Sequence, residues 1–318
     1  MRTREAAHRT SRAPLVRARV RTGESHATCA IEHAAFEPVV CCNVLFPRLP
    51  LVVSLVAGAL LTGTDGRADG VTPSRPARGV DAPTGTTVVF PYRQRRLLYS
   101  RNADGGLAYV SSGAERGAAL PVVVLLHGMN PDELVHPWFG PPYGDVRPVV
   151  EALIAAGKMT SVVIAAPTHT RYATGATVMW PRFDLDDFLD ATETALGEGA
   201  TLDRSRLVVI GHSGAGCNTT GGILAESVRR AKPLAIVDVD GCLDEPVRSA
   251  LTQASASVPV HFLWQRSWAR PVAELVRACP ECKVEEVTDF VPGTAPHAAI
   301  LPEALRRVLP ALLPGDAR

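Results

Sequence analysis

The sequence predicts an α/β fold, in which one domain has a mostly parallel central sheet with helices on both faces. Apolar, β-rich runs alternate with helix-like stretches through most of the chain. The strand-like runs are apolar throughout rather than at every second residue, which indicates strands that are buried on both faces. The chain has 318 residues, of which 46% are hydrophobic, and this is enough to bury a large core.

The elements follow from local patterns, taken in order. Eight short apolar runs predict strands: TTVVFPY, LAYVSSG, LPVVVLLHGMN, TSVVIAAPTHT, RLVVIG, KPLAIVDVDG, VPVHFLWQ and KVEEVTDF. Six stretches between or after them predict helices: DVRPVVEALIAAGKM, DLDDFLDATETALGEG, CNTTGGILAESVRRA, DEPVRSALTQAS, PVAELVRAC and LPEALRRVLPALL. The second has acids in its first turn and glycine at its end, as the helix dipole and the C-cap favour. Sheets of this kind bind ligands at the carboxyl ends of their strands.

The chain before these elements differs in composition. Residues 1–48 are rich in arginine and show no periodicity, so they predict a disordered leader or sequence upstream of the true start. Residues 49–68 resemble a signal peptide, with a positive flank, the apolar run LPLVVSLVAGALL and small residues after it. A Pro/Gly-rich linker over 69–85 leads into one folded domain, 86–318. We therefore expect an exported protein, periplasmic or extracellular, without a stable membrane span in its mature form; a short anchor or a buried apolar element are the alternatives.

Charge and cysteine content narrow the class of protein. The net charge of +1 argues against a nucleic-acid partner or a membrane-surface partner. Four of the seven cysteines lie in the predicted domain: Cys217, Cys242, Cys279 and Cys282. In an exported protein they predict two disulfides, one within the local CPEC loop and one between the two cysteines that each follow a strand; four free thiols are the alternative. A single close CxxC pair does not predict a zinc site.

A serine stands at a tight turn in RLVVIGHSGAG, where a predicted strand runs into glycines. A sharp strand-to-helix turn forces its central residue into a strained conformation, so small residues are needed two positions to either side. Gly211 and Ala215 meet that need around Ser213. The hydroxyl would then stand above the sheet, near the positive end of the helix predicted to follow.

This turn, GHSGA, resembles the nucleophile elbow of the α/β-hydrolase family, whose usual form is G-x-S-x-G. VVVLLHGMN is similar to the third strand and oxyanion turn of that family. His297, in TAPHAAI, lies after the last strand and ahead of the final helix, where the family keeps its base. The resemblance implies that Ser213 is a nucleophile, that His297 is its general base, and that the backbone N–H groups of Met129 and Gly214 form the oxyanion hole.

The acid of such a triad is less evident, because the stretch after the seventh strand, FLWQRSWARPV, holds no carboxylate. The family also places the acid after the sixth strand, and here IVDVDGC offers Asp238 and Asp240. These two share a face of the strand, and Asp240 is nearer its carboxyl end, so we choose Asp240 and keep Asp238 as the alternative. Asp244, Asp289 and a Ser–His dyad without an acid are further alternatives.

Three residues are candidates for the substrate pocket, namely His212, Trp180 and Tyr172. The expected activity is hydrolysis of an ester, or less favourably an amide, in a small-molecule or peptide substrate, with no cofactor and no metal. One alternative is a non-catalytic binding protein on the same fold. Another is an NAD(P)-binding Rossmann-type oxidoreductase, because VVIGHSGAG also places glycines between a strand and a helix. Ser213 stands where that fingerprint requires glycine, which argues against it.

Overall fold

An eight-stranded sheet forms the centre of the fold. The computed structural model describes residues 84–94, 105–130, 137–140, 144–168, 179–181, 183–290 and 295–315. In chain order the strands are β1 (Thr86–Phe90), β2 (Gly106–Val110), β3 (Ala119–Leu126), β4 (Phe139–Gly140), β5 (Gly144–Asp145), β6 (Val163–Pro167), β7 (Thr201–His212), β8 (Ala235–Val239), β9 (Val260–Trp264) and β10 (Lys283–Glu286). The large sheet has the order β1-β2-β6-β3-β7-β8-β9-β10, and the short strands β4 and β5 pair only with each other.

The direction of the strands places their carboxyl ends at one edge. β1 and β2 are antiparallel, and so are β2 and β6. Every other neighbouring pair in the large sheet is parallel. The loops that follow β3, β7, β8 and β9 therefore all leave the sheet on the same side.

The described residues form five α-helices beside the sheet: α1 (Arg147–Ala155), α2 (Leu185–Leu196), α3 (Glu245–Ser255), α4 (Val272–Ala278) and α5 (Pro296–Leu312). Side chains of β3 alternate between two buried clusters, as a strand covered on both faces requires. Val124 belongs to the cluster that holds Phe188 of α2 and Leu251 of α3. Leu125 belongs to the other, with Leu305 of α5. The predicted mostly parallel sheet with helices on both faces is confirmed.

The helix predicted over CNTTGGILAESVRRA is not an α-helix, which corrects the sequence prediction. Short 3-10 turns form instead, Ser213–Gly216 just before the segment and Leu224–Val228 within it. Between them the side chain of Asn218 accepts a hydrogen bond from the Thr220 amide over 3.0 Å, which offers the backbone an alternative to a helix. Gly222 follows in the left-handed region, with φ of +52°, and a helix cannot continue through it. Ser213 therefore lacks the helix dipole that was expected behind it.

Both predicted disulfides are present, Cys217–Cys242 and Cys279–Cys282. The first ties the segment after Ser213 to the segment after Asp240, since its cysteines lie a few residues beyond each. The leader and the signal-peptide-like segment lie outside the described residues. Within the described part of the chain, no helix is both long enough and apolar enough to cross a membrane.

Candidate active site

Neighbouring strands bring the predicted site residues to one edge of the sheet. β7 and β8 pair in parallel, with Gly211 opposite Asp238 and His212 opposite Val239. Ser213 comes next after β7, and Asp240 comes next after β8. His297 lies in the first turn of α5, because that helix begins at Pro296, earlier than the sequence predicted.

Ser213 occupies a strained backbone position. Its φ is +55°, in the left-handed region that residues with side chains seldom adopt. The surroundings explain why the residues around it are small: a Cβ on Gly211 would lie 2.6 Å from Ile223 Cγ2, and a Cβ on Gly128 would lie 2.6 Å from Ser213 Cβ. The turn after β3 therefore packs directly against the serine.

A chain of hydrogen bonds joins the serine to a buried acid. His297 Nε2 lies 3.0 Å from Ser213 Oγ, and His297 Nδ1 lies 2.5 Å from Asp240 Oδ2. A carboxylate only accepts hydrogen bonds, so the proton of a neutral His297 sits on Nδ1 and leaves Nε2 free to accept from the hydroxyl. Asp240 has a positive φ of +57°, which turns its side chain out of the line of the strand.

Two further side chains hold the carboxylate of Asp240, and sequence reasoning missed both. The amide of Gln265 donates to Asp240 Oδ2 over 2.9 Å. Arg270 Nη2 forms an ion pair with Asp240 Oδ1 at 2.8 Å, and both side chains are buried. Arg270 also donates to the carbonyl oxygens of Asp240 and Gly241. These partners lie in FLWQRSWARPV, the stretch in which the sequence search looked only for an acid.

The environment of Asp240 keeps it ionised. Burial alone would raise the pKa of its carboxyl group, but the hydrogen bonds from His297 and Gln265 and the charge of Arg270 outweigh that effect. The net result is a pKa below the ordinary value. An ionised carboxylate beside Nδ1 orients the imidazole, and it would stabilise an imidazolium at this position.

Asp238, the alternative acid, has a different environment. Its side chain is fully buried, and its Oδ1 accepts a hydrogen bond from the Gly241 amide over 3.1 Å. A Cβ on Gly216 would lie 2.2 Å from that same oxygen, so the carboxyl packs against the segment that follows Ser213. Burial raises the pKa of Asp238 to about 8, although the Gly241 amide and the charge of Arg270 oppose the rise. Asp238 is therefore mainly protonated at neutral pH, whereas Asp240 is ionised.

Replacing Asp238 with asparagine is expected to change how stability depends on pH. The folded state holds a proton on Asp238 up to about pH 8, whereas the unfolded chain releases it near pH 4. The contribution of Asp238 to the free energy of unfolding of the wild type is therefore greatest below pH 4. It declines by roughly 1.4 kcal/mol per pH unit as the pH rises toward 8. Asparagine has no such proton, so urea unfolding at pH 5, 6 and 7 should show a difference between D238N and wild type that grows in favour of the variant. A constant difference would contradict this.

The other acids considered from the sequence have other partners. Asp244 is the N-cap of α3, where its side chain accepts a hydrogen bond from the Val247 amide. Asp289 is exposed and pairs with Arg307 over 2.7 Å. Among the described residues, no group of His, Cys, Asp and Glu could hold a metal ion.

A cavity of about 210 Å³ opens beside Ser213 and His297. Its walls are largely apolar and include Met129, Pro137 and Trp138. The cavity lies against the turn after β3, at His127, Gly128 and Met129, and Gly214 is buried in the turn that holds the serine. The assignment of the Met129 and Gly214 amides as oxyanion donors stays a prediction.

His212, a sequence candidate for the substrate pocket, lines this cavity. Its Nε2 lies 2.9 Å from the carbonyl oxygen of His297, and the two rings are 4.5 Å apart. Burial, and then the nearby His297, lower the pKa of His212 to about 3, so it is neutral. Its Nε2 must therefore carry the proton and donate it to that carbonyl, which ties β7 to the first turn of α5.

The other two pocket candidates have different outcomes. Trp180 is fully buried and does not line the cavity, which corrects the sequence interpretation. Its Nε1 donates to the carbonyl oxygen of His127 over 2.7 Å, so this large ring supports the turn after β3 from the core. Tyr172 lies outside the described residues.

Comparisons with known proteins support the fold. No family model and no curated protein matches the chain. A solved structure of a protein named FAE is similar, with a TM-score of 0.52 and 12% identity, over 76% of this chain and 93% of that one. A feruloyl esterase module from Clostridium thermocellum, complexed with sinapinate, is similar with a TM-score of 0.50 and 13% identity, over 76% of this chain and 93% of that one. The sheet order and these structural neighbours together show that this chain has the α/β-hydrolase fold.

Proposed function

We propose that the protein is a serine hydrolase that cleaves an ester through an acyl-enzyme on Ser213. One observation carries the proposal, namely the continuous hydrogen-bonded path from Ser213 Oγ through His297 to the carboxylate of Asp240. A serine hydroxyl is a weak nucleophile until a base takes its proton. Here His297 would be that base, and the carboxylate of Asp240 would fix its tautomer and balance its positive charge.

The proposed reaction has two halves. Ser213 Oγ attacks the ester carbonyl carbon while His297 Nε2 takes the hydroxyl proton, and the carbonyl oxygen becomes an oxyanion. The C–O bond to the alcohol then breaks, and the imidazolium gives its proton to the departing oxygen. A water molecule then attacks the acyl-enzyme while His297 takes its proton. The acid is released, and His297 returns the proton to Ser213 Oγ. The amides of Met129 and Gly214 would stabilise the oxyanion, and loss of one such donor raises the barrier by about 3 kcal/mol.

An ester is favoured over an amide as the substrate. One structural neighbour is a feruloyl esterase module, although the likeness to it is one of fold. The largely apolar cavity beside Ser213 suits the acyl part of a small ester. The two disulfides support export to an oxidising compartment, where such bonds persist.

The alternative functions have less support. Dinucleotide binding uses the N-terminus of a helix that follows the glycine turn, to receive the pyrophosphate. Between β7 and β8, where every residue is described, the chain forms only short 3-10 turns. A non-catalytic binding protein has no need for a buried, ion-paired carboxylate hydrogen-bonded to a histidine beside a strained serine.

Reaction with a fluorophosphonate probe tests the proposal. The wild-type protein should incorporate one probe, on Ser213, and should hydrolyse p-nitrophenyl esters, because the activated hydroxyl attacks both. Ser213→Ala should lose both reactions. Ser249→Ala, at an exposed position on α3, is the matched control and should retain both. A protein that takes up no probe and turns over no ester of any chain length is not a serine esterase.

A further inference from the structure

Trp268 is an exposed aromatic side chain at the edge of the candidate site. It is 47% exposed, and none of the other large exposed hydrophobic residues in the described part of the chain is aromatic. Its ring lies 4.3 Å from the ring of His297, between centroids. A half-exposed indole beside the proposed general base is open to contact with a bound substrate.

The orientation of Trp268 is held by Arg270. The guanidinium carbon of Arg270 lies 5.0 Å from the centroid of the indole, within the range of a cation–π contact. Arg270 is itself buried and fixed by its ion pair with Asp240 and by two backbone carbonyls. The indole is therefore held in place before any substrate arrives, which reduces the entropy lost on binding.

The position of Trp268 associates it with the leaving group. His297 Nε2 protonates the departing oxygen in the proposed reaction, so the alcohol part of the substrate must pass close to His297. The cavity that suits the acyl part is lined by Met129, Pro137 and Trp138, and Trp268 is not part of that lining. Trp268 therefore contacts His297 outside the lining of this cavity, and we expect the leaving alcohol to lie on that side of His297.

We propose that Trp268 is a specificity-determining residue that stacks against a flat aromatic ring in the alcohol part of the ester. This inference rests on the proposed function. A ring with a cation near one face presents a less electron-rich surface, which favours offset stacking on another aromatic ring over contact with the C–H bonds of a saturated ring. The expected substrate class is esters of aryl or arylmethyl alcohols.

The test compares three esters of the same acid, with ethyl, cyclohexylmethyl and benzyl alcohols. The last two differ mainly in whether the ring is flat, and their alcohols are similar leaving groups. Trp268→Ala should lower the preference for the benzyl ester over each of the others about three- to tenfold in kcat/KM, the range expected for loss of one aromatic pair. The loss should arise in KM, and Trp268→Phe should retain most of the preference. Val276→Ala, at an exposed position on α4, controls for surface truncation.

Other outcomes would overturn the inference. An equal fall in kcat on all three esters would mean that Trp268 acts only by positioning His297. An equal loss on the benzyl and cyclohexylmethyl esters would indicate a general hydrophobic surface, and no change would exclude any contact. Calorimetric binding of the same esters to S213A and to S213A/W268A gives a readout without turnover. An inactive wild-type protein would therefore count against the proposed function, and the binding comparison would still decide the role of Trp268.

Discussion

Asp240→Asn is expected to lower kcat about 10⁴-fold, the size of effect found when the acid of a Ser-His-Asp triad is replaced by its amide. The reason lies in the partners of the carboxylate. Arg270 is charged whereas the Gln265 amide is neutral, so the oxygen of asparagine should face Arg270 at the Oδ1 position. The NH₂ group would then take the Oδ2 position beside His297 Nδ1 and displace the hydrogen bond from Gln265. An NH₂ group there donates to Nδ1 and leaves the imidazole proton on Nε2. Such a histidine cannot accept the proton of Ser213.

The measurement is turnover of a p-nitrophenyl ester, with circular dichroism and urea unfolding to establish that the variant folds. Asp289→Asn is the matched control. Asp289 is an exposed acid that the sequence offered as an alternative, so this variant should retain wild-type turnover. Fluorophosphonate labelling of D240N should slow in parallel with kcat. Near-normal turnover of a folded D240N protein would remove Asp240 from the mechanism and leave a Ser–His dyad.

The sequence predicts those parts of the site whose signal is local. Ser213 is recognisable because its strained turn excludes large side chains two positions to either side, and the sequence has Gly211 and Ala215 at those positions. Asp240 could be preferred over Asp238 because the two share a face of one strand and Asp240 lies nearer its carboxyl end. The opposite ionisation of the two acids was not predictable, because it depends on contacts with Arg270 and Gln265, which lie in a later loop.

The prediction of a helix after Ser213 shows the opposite limitation. The run ILAESVRRA has ordinary helix-forming residues, and its local propensity favours a helix. The residues before this run prevent an α-helix, because the side chain of Asn218 accepts a hydrogen bond from the Thr220 amide and Gly222 adopts a left-handed conformation. The disulfide from Cys217 then joins this loop to the one that carries Asp240. Here the tertiary structure holds the serine turn without the helix that usually follows it.

Removal of Arg270 should have the largest effect on stability. Arg270→Met leaves the carboxylate of Asp240 buried without its counter-charge, and such a loss typically lowers the free energy of unfolding by about 3–5 kcal/mol. The two carbonyl oxygens that Arg270 also binds add to this loss. Urea unfolding at pH 7 measures the change. Arg116→Met is the matched control, because its ion pair with Glu198 is exposed and should contribute less than about 1 kcal/mol.

The double variant R270M/D240N separates the ion pair from the other contacts of Arg270. If the two charges stabilise each other, neutralising Asp240 should be much less harmful in the R270M background than in the wild type, and the double variant should be more stable than the sum of the single changes predicts. A coupling above about 1 kcal/mol is expected for residues in direct contact. Strictly additive losses would mean that Arg270 stabilises the fold only through its other contacts, with the backbone carbonyls and with the indole of Trp268. In that case the ionised state of Asp240 would depend on His297 and Gln265, and the buried arginine would serve mainly to fix the loop after β9, on which Trp268 stands.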